Sequence, residues 1–236
     1  MILTERFAFI HVPKTGGQFV ASVLRKCKSL RHCRIPRTAH TPISAIPADI
    51  PAFAFVRDPA GWYASWHDHC TRLPEVDPVF DVLSQGRTLT SDQTISNAAA
   101  PTTAMLEQIV SRLSTLRRHH FHMPIDRALV NEWRVMGEVG LYSYITAKML
   151  TRNWHDFVAG AAPDRSGLTL YDFSELRPAL ARELRRQGVE DADRLVDVAV
   201  SPPVNVDVTP PVICGSVLDA ISRRDARLMA ALKATK

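Results

Sequence analysis

The sequence predicts an α/β fold in which a parallel sheet is flanked by helices, and three observations carry that expectation. Short apolar runs stand at residues 7–12, 52–56 and 168–171. Each is followed by a segment whose apolar residues recur at three- and four-residue steps, and alternating strands and helices are the pattern of parallel strands joined by helical crossovers. The chain of 236 residues, 46% of them hydrophobic, holds enough apolar material for one sizeable core. With neither an internal repeat nor a linker in view, a single domain over residues 1–236 is expected.

Taken in order, residues 7–12 run into Pro13, Lys14, Thr15, Gly16 and Gly17, and then into Phe19, Val20, Val23, Leu24 and Cys27 at helical spacing. That unit reads as buried strand, glycine turn and amphipathic helix. Residues 52–56 form a second buried strand that stops at Arg57-Asp58-Pro59. A helix is expected next, because Trp62, Ser65, Trp66 and His69 share one face. Residues 73–102 contain three prolines and many Ser and Thr with weak apolar periodicity, which reads as a loop or lid insertion holding short helical pieces. Helical periodicity returns from Thr103 through Met105, Leu106, Ile109, Val110, Leu113 and Leu116, and again over 139–154. A late strand at 168–171, a helix over 176–187 ended by Gly188 and a terminal helix over 221–232 complete the reading.

Composition narrows the function. No apolar run approaches the roughly 20 residues of a membrane span, and residues 1–10 leave no room for a secretory leader, so a cytoplasmic location is expected. Cys27, Cys33, Cys70 and Cys214 are too far apart for a CxxC pair and read as reduced thiols. A net charge of +5 does not argue for a nucleic-acid partner. Its distribution says more: between Arg6 and Ala48 there is no acidic residue, while Lys14, Arg25, Lys26, Lys28, Arg31, Arg34 and Arg37 all fall there. A field of one sign favours a small anionic ligand, with a solvated basic helix face as the structural alternative.

The segment from His11 to Gln18 carries the sharpest chemistry. Adjacent glycines let the backbone approach a ligand, the first amides of a helix point outward, and a lysine stands beside them, which together make an anion cradle. It is not a Walker A loop, in which lysine follows the glycines. The structural alternative is a capping glycine turn with an incidental lysine. Arg57 adds a guanidinium at the carboxyl end of the second strand, where open α/β sheets bind ligands, and Ser65 follows eight residues later. An ion pair of Arg57 with Asp58 is the alternative there.

These two segments, HVPKTGGQFV and FAFVRDPAGWYASW, resemble the paired nucleotide-binding signatures of sulfotransferases that use 3′-phosphoadenosine 5′-phosphosulfate (PAPS), in particular the carbohydrate and bacterial branches. The segment from Tyr171 to Leu176 and the segment from Val204 to Asp207 are similar to later motifs of that family. The resemblance implies a P-loop-NTPase-like parallel sheet flanked by helices, of the sulfotransferase type. It further implies that Lys14 contacts the 5′-phosphosulfate and that Thr15, Gly16, Gly17, Gln18 and Phe19 offer backbone amides to it. Arg57 and Ser65 would hold the 3′-phosphate. Gln18 stands where the family usually has Thr or Ser, and Trp62 where many members have another arginine.

Sulfuryl transfer needs positioning, neutralisation of the leaving oxygen and a base, but no metal. His40, between the two signatures and preceding Thr41-Pro42, is the expected base, and His11 the expected shaper of the strand end. His119, His120 and His122 lack an acidic or cysteine partner at metal-ligand spacing and read as a solvated cluster. The expected acceptor is a small molecule or carbohydrate, lined by residues 73–102 and 119–131. Two alternatives stand beside this reading. One is a catalytically degenerate module of the same fold that binds an anionic nucleotide or glycan. The other is a P-loop kinase with Thr15 holding Mg²⁺.

Overall fold

The computed structural model describes residues 1–30, 40–115, 133–197, 200–201 and 211–233. The resemblance at 204–207, the histidine cluster at 119–122 and the expected acceptor segment 119–131 lie outside the described residues. Strands β1 (Ile2–Leu3), β2 (Ala8–Ile10), β3 (Ala52–Val56) and β4 (Leu168–Asp172) form one open sheet in the order β1-β2-β3-β4. The expectation of a wholly parallel sheet is corrected here to a mixed one. β2, β3 and β4 are parallel, whereas β1 pairs antiparallel with β2. The physical reason is the length of the β1–β2 connection, which permits only a reversal. Thr4 closes it: its amide and its hydroxyl each donate to the Phe7 carbonyl at 2.9 Å, and its hydroxyl oxygen accepts from the Phe7 amide at 3.0 Å.

The register of β2 on β3 pairs Phe9 with Phe53, and that of β3 on β4 pairs Phe55 with Tyr171. Alternation along a strand therefore gathers Phe7, Phe9, Phe53, Phe55 and Tyr171 on one face. Helix α1 (Gly17–Lys26) supplies Phe19, Val20, Val23 and Leu24 to the cluster over that face, and α8 (Leu176–Arg186) and α9 (Ala192–Val196) supply Ala179, Leu180, Leu184, Leu195 and Val196.

The residues divide into two compact units whose segments interleave along the chain, where the sequence reads as one domain. The first comprises Met1–Arg57, Lys148–Trp154 and Pro163–Val208 and holds the whole sheet. The second comprises Asp58–Ala147, His155–Ala162 and Thr209–Lys236. In this second unit lie α2 (Pro59–Arg72), α3 (Pro78–Leu83), α4 (Ser91–Ala99), α5 (Thr103–Thr115), most of α6 (Trp133–Leu150), α7 (Trp154–Val158) from its second residue onward, and α10 (Gly215–Lys233).

Residues 73–102, expected as a loop or lid holding short helical pieces, contain two short helices, α3 and α4, and polar residues cap both. The Asp77 carboxylate accepts from the amides of Val79 and Phe80 at 2.9 Å, with Pro78 at the first helical position. Thr90 and Gln93 form a reciprocal capping box on α4. Val79, Phe80, Leu83, Ile95, Ala98 and Ala99 are buried, which makes this stretch a packed layer of the second unit.

The second unit also buries a carboxylic acid. Helix α6 is interrupted at Gly140, whose φ of 80° lies in the left-handed region. A Cβ there would meet the Ala99 carbonyl at 2.7 Å, so only glycine fits. Beyond the interruption, the Tyr142 amide donates to the Tyr63 hydroxyl oxygen at 3.1 Å. The next residue, Ser143, donates its hydroxyl to Asp225 Oδ1 on α10, and Asp225 Oδ2 is buried with no hydrogen-bond partner. Burial pushes the Asp225 carboxyl up to about 7, and the Ser143 hydrogen bonds only partly oppose that rise.

The folded chain thus keeps the Asp225 proton to a higher pH than the unfolded chain does. This contribution to stability is fully present below the ordinary carboxyl range and is lost as pH rises from there towards about 7. Asp225→Asn should therefore melt near the wild type at pH 4 and well above it at pH 8. The gap is expected to reach several kcal/mol, because each tenfold displacement of a proton equilibrium between the folded and unfolded chain is worth about 1.4 kcal/mol. Melting curves of both proteins across pH measure it, and a gap that does not grow with pH would contradict the assignment. The comparison must be made at each pH, because half-buried His11, lowered to about 3, destabilises the fold in the opposite direction as pH falls.

Candidate functional site

The carboxyl ends of β2, β3 and β4 deliver three segments to one edge of the first unit: the turn into α1, Arg57, and the 3₁₀ turn Phe173–Glu175. The strand order contains no reversal. A crevice of the kind that a reversal opens therefore does not mark this edge; the chemistry of the turn does.

That turn is tightly determined. The Thr15 hydroxyl, 1% exposed, donates to the Val12 carbonyl at 2.9 Å. Lys14 is held at a φ of 63°, a left-handed conformation that costs a non-glycine residue on the order of 1–3 kcal/mol. Gly16 follows at φ 76° and ψ 14° as the N-cap of α1, without a side-chain cap. Alternating left-handed residues and the first turn of a helix turn successive amides to one side, the geometry of an anion-binding concavity. The first turn of α1 has no acidic residue, whereas Arg25 and Lys26 occupy its last turn. The positive end of its dipole therefore meets no carboxylate of its own helix.

Both glycines are required by contacts as well as by conformation. A Cβ on Gly17 would fall 1.8 Å from His11 Cδ2, and one on Gly16 would fall 2.8 Å from Leu176 Cδ2 and 3.0 Å from Phe173 Cε2. His11 is thus a wedge beneath the turn, its ring stacked 6.1 Å from Phe9. Burial first, then the neighbouring His40 ring, the amino terminus and Lys14, lower its pKa to about 3, so it is neutral at physiological pH.

The structure brings His40 to this wedge. The two rings are 4.5 Å apart at 45°, and His40 Nδ1 lies 2.9 Å from the His11 carbonyl oxygen. A carbonyl only accepts, so Nδ1 carries the proton and Nε2 is the lone-pair nitrogen of the neutral ring. Arg57 stands just beyond β3, its guanidinium carbon 4.8 Å from the centre of the Phe173 ring. Asp58, its suggested ion-pair partner, caps α2 by accepting from the Gly61 amide at 2.6 Å.

Of the sequence-derived site residues, Lys14, Thr15, Gly16, Gly17, Gln18, Phe19, His40 and Arg57 belong to the first unit, and Ser65 lies on α2 in the second. Gln18 is exposed, whereas the Phe19 side chain is buried with Arg177 4.4 Å over its ring, so only its amide can serve a ligand. Trp62 is fully buried in the second unit, where it packs against Tyr63, Trp66 and Tyr142. Sequence reasoning did not single out Phe173, which touches both Gly16 and Arg57. Its signal was its place just after an edge strand whose one sheet neighbour, β3, ends in Arg57. Among the described residues, no group of three His, Cys, Asp or Glu is placed to hold a metal ion, and no helix is long and apolar enough to cross a membrane. No protein-family model matches the chain, and no curated protein or solved structure matches it either.

Proposed function

We propose that this chain is a PAPS-dependent sulfotransferase of the P-loop-like α/β type, acting on a hydroxyl or amine of a small-molecule or carbohydrate acceptor. One observation carries the reading: Phe173 joins two cationic sites on one sheet edge, the strained Lys14–Gly17 turn on one side and Arg57 on the other. Two separated anion sites fit a nucleotide with phosphate at both ends of its ribose better than they fit a single phosphate. The lysine-first order, the absence of Cβ atoms at Gly16 and Gly17 and the resemblance of both segments agree with that choice.

Bound PAPS supplies an activated sulfuryl group, whose transfer forms a bond from sulfur to the acceptor oxygen or nitrogen, breaks the bond to the 5′-phosphate oxygen and leaves charge on that phosphate. Lys14 and the amides from Thr15 to Phe19 are set to neutralise that charge. Arg57 holds the 3′-phosphate through charge-assisted hydrogen bonds. His40 Nε2 takes the acceptor proton. The kinase alternative is weakened because the Thr15 hydroxyl, which would have to reach Mg²⁺, is buried and donates to Val12.

Calorimetric titration with 3′-phosphoadenosine 5′-phosphate, alongside radiolabel transfer from PAPS to an acceptor panel, tests the proposal. Binding with no transfer to any acceptor would favour the degenerate binding module, and no binding would end the nucleotide reading. Arg57→Ala should weaken 3′-phosphoadenosine 5′-phosphate by about 10- to 100-fold, the worth of a charge-assisted bidentate contact, while adenosine 5′-phosphate binds nearly as before. Equal losses for both nucleotides would make Arg57 structural.

A further inference from the structure

Nothing in the chemistry of sulfuryl transfer requires an aromatic residue at the end of β4, yet the Phe173 ring touches both candidate phosphate sites. Its Cε2 lies where a Cβ on Gly16 would be only 3.0 Å away, and its face lies 4.8 Å from the Arg57 guanidinium carbon. The ring is half-buried at the first residue of the 3₁₀ turn. The backbone that aims it is held by Asp172, whose Oδ1 accepts from the Ser174 amide at 2.7 Å and from the Ser174 hydroxyl at 2.6 Å. Leu176, on the next helix, closes over Gly16 beside it. The ring is therefore fixed from behind by its own turn and presented to the guanidinium.

A long arginine side chain loses rotamer freedom when it grips a ligand, and a surface that holds it beforehand lowers that cost. An aromatic face does so without competing for the guanidinium N–H groups, since it attracts the cation through its quadrupole and leaves the donors in the guanidinium plane to face a phosphate. A carboxylate in the same place would occupy those donors and cancel the charge. We infer that Phe173 is the positioning residue of the 3′-phosphate site: its ring holds Arg57 preset beside the Gly16 turn, and so sets the preference for nucleotides that carry a 3′-phosphate. The inference rests on the sulfotransferase reading given above and goes beyond it by assigning the origin of that preference.

The test compares the affinities of the full chain for 3′-phosphoadenosine 5′-phosphate and adenosine 5′-phosphate by calorimetry, in the wild type, Phe173→Leu, Phe173→Met and Phe173→Tyr, with melting curves to follow the fold. Leu and Met keep apolar bulk near Gly16 without the π face, and Tyr keeps both. The ratio of the two affinities should fall by about 3- to 30-fold in Phe173→Leu and Phe173→Met and should be retained in Phe173→Tyr. Arg57→Ala introduced into Phe173→Leu should lower the ratio by less than it does in the wild type, because the two residues act through one contact. A ratio unchanged in both Leu and Met, or both affinities falling together, would overturn the inference while leaving the sulfotransferase reading intact. A wild-type chain that binds neither nucleotide would overturn the reading and this inference with it.

Discussion

Lys14→Ala is expected to lower sulfuryl transfer by about 10² to 10³, the usual loss when one preorganised donor to a developing oxyanion is removed. Nucleotide binding should weaken less than the rate falls, because the amides of the turn remain. The strained backbone supplies an internal control. Lys14 sits at a φ of 63°, where glycine is at ease and a side chain is not. Lys14→Gly should therefore melt no lower than the wild type while transferring as little as Lys14→Ala. A protein that gains or keeps stability and loses activity shows that the lysine is retained for its charge. Turnover of the two variants with PAPS, set beside their melting temperatures, makes the measurement, and full activity in either would remove Lys14 from the site.

His40→Ala is expected to lower turnover by about 10² to 10⁴ and to leave the affinity for 3′-phosphoadenosine 5′-phosphate nearly unchanged. The structure sharpens this in two ways. The hydrogen bond from Nδ1 to the His11 carbonyl assigns Nε2 as the nitrogen that takes a proton. In the wild type, turnover should then fall on the acid side as that nitrogen becomes protonated. His11, in contact with His40, is lowered to about 3, so an acid limb well above that pH cannot come from the wedge histidine. A pH–rate profile of the wild type together with single-point rates of His40→Ala tests both statements. Normal turnover in the variant would remove His40 from the role of base.

The local features of the site were readable because each is written within a few residues. The adjacent glycines at 16 and 17 foretell a backbone that approaches something closely, and the structure gives the reasons, a positive φ at one and a histidine ring against the other. The run from Ala52 to Val56 is a strand with the bounds expected of it, and Arg57 stands at its carboxyl end. Residues 73–102 read as a loop holding short helical pieces, without bounds for the pieces, because Ser, Thr, Asp and Pro signal loops and helix starts alike. Only the pairing of Asp77 with Pro78, and of Thr90 with Gln93, separates the two.

By itself, then, the sequence determined where strands and helices alternate, where the chain turns on glycine, and which cations stand at strand ends, since periodicity, capping and turn chemistry act over one or two turns of chain. The tertiary structure decided what depends on residues far apart in the chain. It reversed β1 against β2, and it divided the residues into two interleaved units. It set His40 on the carbonyl of His11, 29 residues earlier, and it laid Phe173 between Gly16 and Arg57. The physical reason is that side-chain contacts across a sheet edge follow from strand register and the packing of whole elements. No local window of sequence contains those quantities, so a ring that lies against two distant residues becomes visible only once the three strand ends are side by side.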